Sequence, residues 1–309
     1  MKIVVTGASG FIGAKLTKAL LKNGDHVIAV DRNMPCLLDV DGLSQVRIDI
    51  AAGDAMAEIF EHEPEAIVHL ASLPGGASEL DPGLSRRVNL DGALNLIDFC
   101  SQAATPPRFI FASSIAALGD ALPKDGVDDT TPLRPTMIYG LHKAMVETAV
   151  AAMTRRGAID GLSLRLPGII ARPSGPSGLK SAFMSEIFHR LRAGERFISP
   201  VSPRAQFWLM SVDQCVCNLV HALRCDSQSL PKSRAITLPA LHVQMETLVQ
   251  ELARATGVDP GCVAYHPDPE VEKVFGSYPP LVACIAEEIG FSNDGDLTKL
   301  VATVSGSLR

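Results

Sequence analysis

Three residues near the middle of this 309-residue chain have the types and spacing of a proton-transfer site: Ser114, Tyr139 and Lys143. A tyrosine phenol titrates near pH 10 and is a poor base at neutral pH. An ammonium beside it stabilises the phenolate and draws its pKa toward the working range. Tyr139 and Lys143 stand four apart in Tyr139-Gly140-Leu141-His142-Lys143. Residues i and i+4 of a helix share one face, so phenol and ammonium can point into a single cleft. Ser114 closes the run Phe109-Ile110-Phe111-Ala112-Ser113-Ser114 and offers a hydroxyl to hold a substrate oxygen. Such a set can take the proton of a bound alcohol. A Tyr-x-x-x-Lys alone arises on any helix by chance, so its meaning depends on the elements around it.

Those elements begin at the N-terminus. Lys2-Ile3-Val4-Val5-Thr6 reads as a buried strand, Gly7-Ala8-Ser9-Gly10-Phe11-Ile12-Gly13 follows at once, and Ala14 to Leu21 continues as an apolar-periodic helix. Strand, glycine turn and helix together form the context of a dinucleotide fingerprint. Gly7 permits the turn, Gly10 lets backbone approach a pyrophosphate, and Gly13 allows close helix packing. The helix N-terminus adds N–H donors and a partial positive charge. A second strand, His26-Val27-Ile28-Ala29-Val30, ends in Asp31. A carboxylate there accepts hydrogen bonds from ribose hydroxyls and repels a 2′-phosphate, which favours NAD. Arg32, next to it, keeps NADP open.

The Gly-x-x-Gly-x-x-Gly spacing, combined with the Ser/Tyr/Lys set, resembles the extended short-chain dehydrogenase/reductase superfamily over essentially the whole chain. Several further segments are similar to that family's motifs: Arg47-Ile48-Asp49-Ile50, His69-Leu70-Ala71-Ser72, Asn89 within Val88-Asn89-Leu90-Asp91-Gly92, and Leu164-Arg165-Leu166-Pro167. The resemblance implies a Rossmann-type doubly wound parallel sheet and NAD as cofactor. It places cofactor contacts on Gly7, Ser9, Gly10, Phe11, Ile12, Gly13, Asp31, Arg32, Asp49, Ile50, Leu70, Ala71, Ser72, Asn89, Ala112, Tyr139, Lys143, Pro167 and Ile169. The family's spacing to the following Gly119 implies Ser114 as the catalytic hydroxyl, with Ser113 a structural or cofactor contact. Ser72, Ser114, Ile115, Tyr139, Gly168, Arg172, Ser177 and Trp208 are the expected substrate side, with core filling an equal alternative for Trp208. The helices Leu90 to Ala103 and Gly140 to Arg155 are those through which the superfamily commonly forms a four-helix bundle, so a homodimer is expected.

Composition agrees. A chain with 47% hydrophobic residues can bury one large core and a smaller one. Lys and Arg number 28 against 34 Asp and Glu, a net charge of −6, and no basic run points to nucleic acid. No leader pattern stands at the start, and no uncharged apolar stretch suffices for a bilayer. Seven scattered cysteines suit reduced thiols in a cytoplasm, and Cys215-Val216-Cys217 reads as two small helix residues rather than a metal site. No other Cys or His cluster has ligand spacing, so no metal is expected.

The first half alternates short apolar strands, near Ile3, His26, Val46, Ala66, Arg108 and Leu162, with helices, the pattern of a parallel sheet. After about residue 165 the rhythm changes. Arg172-Pro173-Ser174-Gly175-Pro176-Ser177-Gly178 is a loop, a helix follows over 182–193, and Phe207 to Met210 reads as a strand before a helix over 212–224. The expected division is an NAD-binding domain over 1–165, rejoined by about 207–239. A smaller mixed α/β substrate lobe then takes 166–206 and 240–309.

Departures narrow the chemistry. Sugar-nucleotide dehydratases place Asp and Glu after the catalytic Ser/Thr, where this chain has Ile115 and Ala116. The 4-epimerases place an asparagine where it has Gly168. Tyr139-Gly140 with Lys143, Arg172-Pro173, Pro200-Val201-Ser202-Pro203, Trp208-Leu209-Met210-Ser211 and Phe275-Gly276-Ser277-Tyr278-Pro279 resemble the D-erythronate dehydrogenase group. This implies NAD-linked oxidation of a small hydroxy acid. Two positions differ from that group's pattern: Gly168 in place of threonine, and Gln206 in place of arginine. A carboxylate anchor would then come from Arg172, Lys180 or Arg204. A nucleoside-diphosphate-sugar epimerase with tightly bound NAD and a cofactor-sensing regulator are the alternatives.

Overall fold

The computed structural model describes residues 1–34, 40–52, 56–175 and 180–308. It divides into two compact units, Met1–Gly119 with Pro135–Leu166 and Val216–Thr237, and Asp120–Arg134 with Pro167–Cys215 and Leu238–Arg309.

In the first unit, the apolar runs become β1 (Lys2–Thr6), β2 (His26–Asp31), β3 (Leu43–Arg47), β4 (Ala66–His69), β5 (Arg108–Ser114) and β6 (Asp160–Leu166). Two further strands of the chain, β7 (Gly168–Ile170) and β8 (Phe197–Ser199), belong to the second unit. So does β9 (Gln206–Ser211), after which β10 (Ala235–Thr237) returns to the first. The large sheet has the order β10-β6-β5-β4-β1-β2-β3 with every pairing parallel. Strands buried on both faces need continuous apolar sequence. Ile3 to Val5, Ala66 to Val68 and Phe109 to Phe111 are 0% exposed. The order reverses between β1 and β4, which opens the crevice at the carboxyl ends of those strands where such sheets bind ligands.

Helices Phe11–Lys22 and Ile138–Arg155 cover the strands that position the site. Before β5 the chain is helical from Pro82 to Cys100, but Arg86–Asp91 within it is a π-turn that the apolar pattern did not announce. The expected helix 90–103 therefore starts earlier and ends sooner.

In the second unit, β9 is the centre of a three-stranded sheet, parallel to β7 and antiparallel to β11 (Leu241–Gln244), while β8 pairs with β12 (Val263–Tyr265). Helices Phe183–Arg192, Met245–Thr256 and Leu297–Ser307 bury Ile187, Phe188, Leu248, Leu252, Leu300 and Val304 around Phe207 and Leu209. This corrects the expected return at 207–239. The strand there joins the smaller sheet because its side chains fill that core, and only 216–237 stay with the large sheet. The segment 120–134 also belongs to the second unit, where Val127 bridges Leu281.

Candidate active site

The glycine turn is shaped by contacts that leave no room for side chains. Gly7 has φ +71°, and a Cβ on it would lie 2.8 Å from the Ala71 nitrogen. A Cβ on Gly13 would overlap the Gly7 carbonyl oxygen. Gly10, in extended conformation, caps helix Phe11–Lys22 without a side-chain hydrogen bond, at the helix end that carries a partial positive charge. Phe11 and Ile12, half-buried, form its first turn. Asp31, at the end of β2, is fixed by two donors: Ser9 N–H to Oδ2 at 3.0 Å and Asn33 N–H to Oδ1 at 2.9 Å. The carboxylate expected to read ribose is thus tied to the turn expected to hold phosphate. Arg32 is exposed beside it. Asp49 is exposed and accepts from Ala51 N–H at 3.0 Å, and Ile50 is buried.

At the end of β4, Leu70 N–H donates to the Thr6 carbonyl and Ala71 N–H to Thr6 Oγ1. Asn89, in the π-turn, holds the next stretch. Its Oδ1 accepts from Leu73 N–H at 2.6 Å and Ser72 Oγ at 3.1 Å, while Nδ2 donates to the Leu73 carbonyl and to Ser78 and Ser85. Ser85 in turn meets His142 Nδ1 at 3.0 Å on helix Ile138–Arg155. These residues form a mostly buried polar chain, and sequence reading found only Asn89 and Ser72 of it.

The structure brings Ser114, Tyr139 and Lys143 together at the carboxyl end of β5. Ser114 caps the short helix Ile115–Leu118, with its Oγ accepting from Ala116 N–H at 3.1 Å. A Cβ on Gly140 would overlap the Ala116 carbonyl oxygen, so the glycine after the tyrosine lets helix Ile138–Arg155 lie directly on the residues after Ser114. Lys143 is 2% exposed. Its ammonium donates to the Ala112 carbonyl at 2.7 Å and lies 4.7 Å from the Phe111 ring centre and 5.4 Å from that of Tyr139. Burial lowers its pKa to about 7, against the attraction of Glu147. Ser113, the neighbour, is occupied differently: its Oγ donates to Glu147 Oε1 at 2.5 Å. Glu147 also pairs with Arg165. His69, at the end of β4, bonds Thr6 Oγ1 at 2.7 Å, and burial holds it neutral with a pKa of about 3.

The remaining expected residues lie in the second unit. Pro167 and Ile169 are buried around β7. A Cβ on Gly168 would meet the Trp208 carbonyl oxygen at 2.9 Å, so the space a threonine needs is filled by backbone. Arg172 takes part in backbone bonds, its N–H to Ser185 Oγ at 3.0 Å and its carbonyl to His189 at 2.7 Å. It borders a surface pocket of about 600 Å³ with Glu186 and Arg190. Trp208 is a correction. It is 0% exposed, stacks on Tyr278 at 4.8 Å and donates Nε1–H to the Pro279 carbonyl at 2.8 Å, so it fills core rather than lining an open pocket. Ser177 and the side chain of Lys180 lie outside the described residues. Cys215 is buried and Cys217 exposed, so the pair does not converge on a metal.

A parallel doubly wound sheet, a glycine turn before its first helix and a tyrosine–lysine pair near a serine agree with a nicotinamide-dependent oxidoreductase acting on carbon-bound hydroxyl groups. The chain belongs to the NAD dependent epimerase/dehydratase family, whose pattern matches residues 3–229. It is similar to a D-erythronate dehydrogenase from Cupriavidus necator, 32% identical with 97% of each chain covered. A D-erythronate dehydrogenase from Haemophilus influenzae is 33% identical over 83% of each. Among solved structures, a nucleoside-diphosphate-sugar epimerase from Agrobacterium tumefaciens superposes with a TM-score of 0.90 at 27% identity, covering 97% of this chain and 92% of that one. Among the described residues no helix is long and apolar enough to cross a membrane.

Proposed function

We propose that this enzyme is an NAD-dependent dehydrogenase that oxidises a secondary hydroxyl of a small polar alcohol, a sugar acid of the D-erythronate kind. The observation that carries the reading is Lys143, a buried ammonium on the Ala112 carbonyl one helical turn from Tyr139. Burying that charge is costly, and such displaced groups concentrate where chemistry uses them. Tyr139 takes the hydroxyl proton, and Lys143 holds the phenolate low in pKa and binds ribose. Ser114 Oγ accepts from Ala116 N–H, which leaves its own proton to hold the substrate oxygen.

The residues fit the cofactor. The turn from Gly7 to Gly13, where backbone packs too closely for side chains, and the helix N-terminus behind it suit a pyrophosphate, and Asp49, Ile50, Leu70 to Ser72, Asn89, Ala112, Pro167 and Ile169 are the other contacts the family implies. NAD, when bound, supplies the hydride acceptor. Asp31, held by two backbone N–H groups, supports NAD over NADP, since a 2′-phosphate would meet a fixed negative charge. Two relatives above 30% identity named D-erythronate dehydrogenase support the substrate class. Ile115 and Ala116, which carry no proton, speak against dehydration.

A homodimer is part of the proposal. Leu141 and Met145, 46% and 45% exposed at i and i+4 of helix Ile138–Arg155, are the apolar side chains a four-helix contact would cover. Placement in a cytoplasm rests on the scattered cysteines. The test is a screen of short hydroxy acids and polyols with NAD and with NADP, read by reduced-cofactor absorbance. Net NADH with D-erythronate or a close sugar acid is the expected result. No net reduction, with interconversion of nucleotide sugars instead, would show an epimerase.

A further inference from the structure

The helix face that carries Tyr139 and Lys143 holds a third polar side chain one turn further on. Glu147 is 3% exposed, and its carboxylate is gripped from two strands. Ser113 Oγ donates to Oε1 at 2.5 Å. Arg165 donates from Nε to both oxygens at 3.1 Å and from Nη2 to Oε2 at 2.7 Å. Ser113 and Arg165 are register partners on β5 and β6, so the parallel pairing itself builds the clamp. A buried ion pair is weak evidence for stability, because apolar packing of similar volume does as well or better. A carboxylate held this firmly next to a buried ammonium therefore calls for another role.

Lys143 is the neighbour that needs it. The charged groups around that ammonium come from each packed element. His69 on β4 is buried and neutral near pH 7. Arg165 on β6 is paired with Glu147. Asp91, Arg86 and Glu79, on the helical segments against this helix, act on His142 instead. Glu147 is the carboxylate whose field reaches Lys143, and it opposes the effect of burial there.

We propose that Glu147 is a positioning residue: clamped by Arg165 and Ser113, it keeps the Lys143 ammonium charged and so sets the pH at which Tyr139 gives up its proton. The inference rests on the reading of Tyr139 as proton acceptor. Without the carboxylate, Lys143 sheds its proton at lower pH. Tyr139 then loses its cation over more of the range and ionises at higher pH.

The chain has three tyrosines, which makes the phenolate directly observable. Burial pushes Tyr278 up to about 12 and raises Tyr265 as well, so the lowest tyrosinate transition is expected from Tyr139, which the Y139F variant checks. The experiment is ultraviolet titration of tyrosinate in the full chain before cofactor is added, for wild type, Y139F, E147Q and E147Q/R165Q, with the pH profile of kcat/KM beside it. Y139F removes the lowest transition. E147Q moves it, and the acid limb of kcat/KM, upward by roughly one pH unit, the size of effect one neighbouring charge produces. E147Q/R165Q removes both charges, leaves none unpaired if E147Q folds poorly, and keeps the upward shift. A transition that stays at its wild-type position in either folded variant, with only melting temperature reduced, overturns the inference. Should Y139F keep turnover, the proposed function fails instead, whatever Glu147 does.

Discussion

Strands β5 and β6 carry a charged cluster at each end, and the two clusters differ in what lies beside them. At the amino ends, Arg108 and Asp160 are register partners joined at 2.6 Å. Arg108 also donates to the Ala222 carbonyl at 2.7 and 3.0 Å, and Asp160 accepts from Ser227 at 2.5 Å and Arg234 at 2.9 Å. At the carboxyl ends, Ser113 and Arg165 converge on Glu147. Both are built on register partners of the two strands, which form the ion pair at one end and donate together to a helix carboxylate at the other. The difference is the neighbour: only the carboxyl-end cluster adjoins an ammonium that burial has brought to about 7. A charge pair therefore does not mark a site in this sheet. A charge left costly beside a phenol does, and it lies at the strand ends where parallel sheets bind ligands.

The sharpest way to break the comparison is to remove the phenol. Tyr139→Phe is expected to lower kcat by about 10³-fold, within the range a positioned general base contributes, with melting temperature and cofactor binding unchanged. Near-wild-type turnover would erase the distinction between the two ends. Next is Gly140→Ala. Alanine is the better helix former by up to about 1 kcal/mol. Here, however, its Cβ overlaps the Ala116 carbonyl, and the helix must move away from Ser114. Misplacement on this scale costs roughly 100-fold in kcat/KM, and a variant of normal activity would show that the close approach has no role.

At the other end the expected loss is stability alone. In Asp160 burial raises the pKa, but bonds from Ser227 and Arg108 outweigh it and the net shift is downward. A depressed carboxylate stabilises the fold above its ordinary pKa, and that contribution fades as pH falls through the folded value. Asp160→Asn should cost about 2 kcal/mol at pH 7, between the exposed and buried pair ranges, since the side chain is 32% exposed. Urea unfolding at pH 7 and near pH 3 checks this. The gap should close in acid, and kcat per folded molecule should match wild type.

The sequence made one end of this pair legible and left the other dark. The glycine turn, Asp31, Ser114, Tyr139 and Lys143 could be singled out as candidates because each sits at a fixed offset in a local motif. Glu147 could not, although it lies i+4 from Lys143. A single acid in an apolar stripe looks like a solvated helix edge until β5 and β6 supply Ser113 and Arg165. The knot at Arg108 and Asp160 needs partners more than fifty residues apart. Trp208 stayed open between pocket and core for a related reason. Strand signals give a segment its conformation but not its sheet, and β9 went to the smaller one, where the indole is enclosed. The π-turn at Arg86–Asp91 has no periodic signature at all.

Lys143 offers the finest test, because its cost should be visible without any reaction. Its folded pKa of about 7 lies below the ordinary lysine value of 10.5, so the unfolded chain binds the proton more tightly. Wild-type stability without cofactor is therefore lowest at and below pH 7 and rises between pH 7 and 10.5. Methionine fills similar space with no charge. Lys143→Met should be the more stable protein at pH 6, by about 1 kcal/mol once the lost bond to the Ala112 carbonyl and the attraction of Glu147 are discounted. The advantage should shrink as pH climbs toward 10, while turnover is lost at every pH. Chemical unfolding at pH 6 and near pH 10 measures both limits. If the variant is the less stable at pH 6, or its advantage grows with pH, the ammonium is well accommodated, and the two ends of β5 and β6 are alike after all.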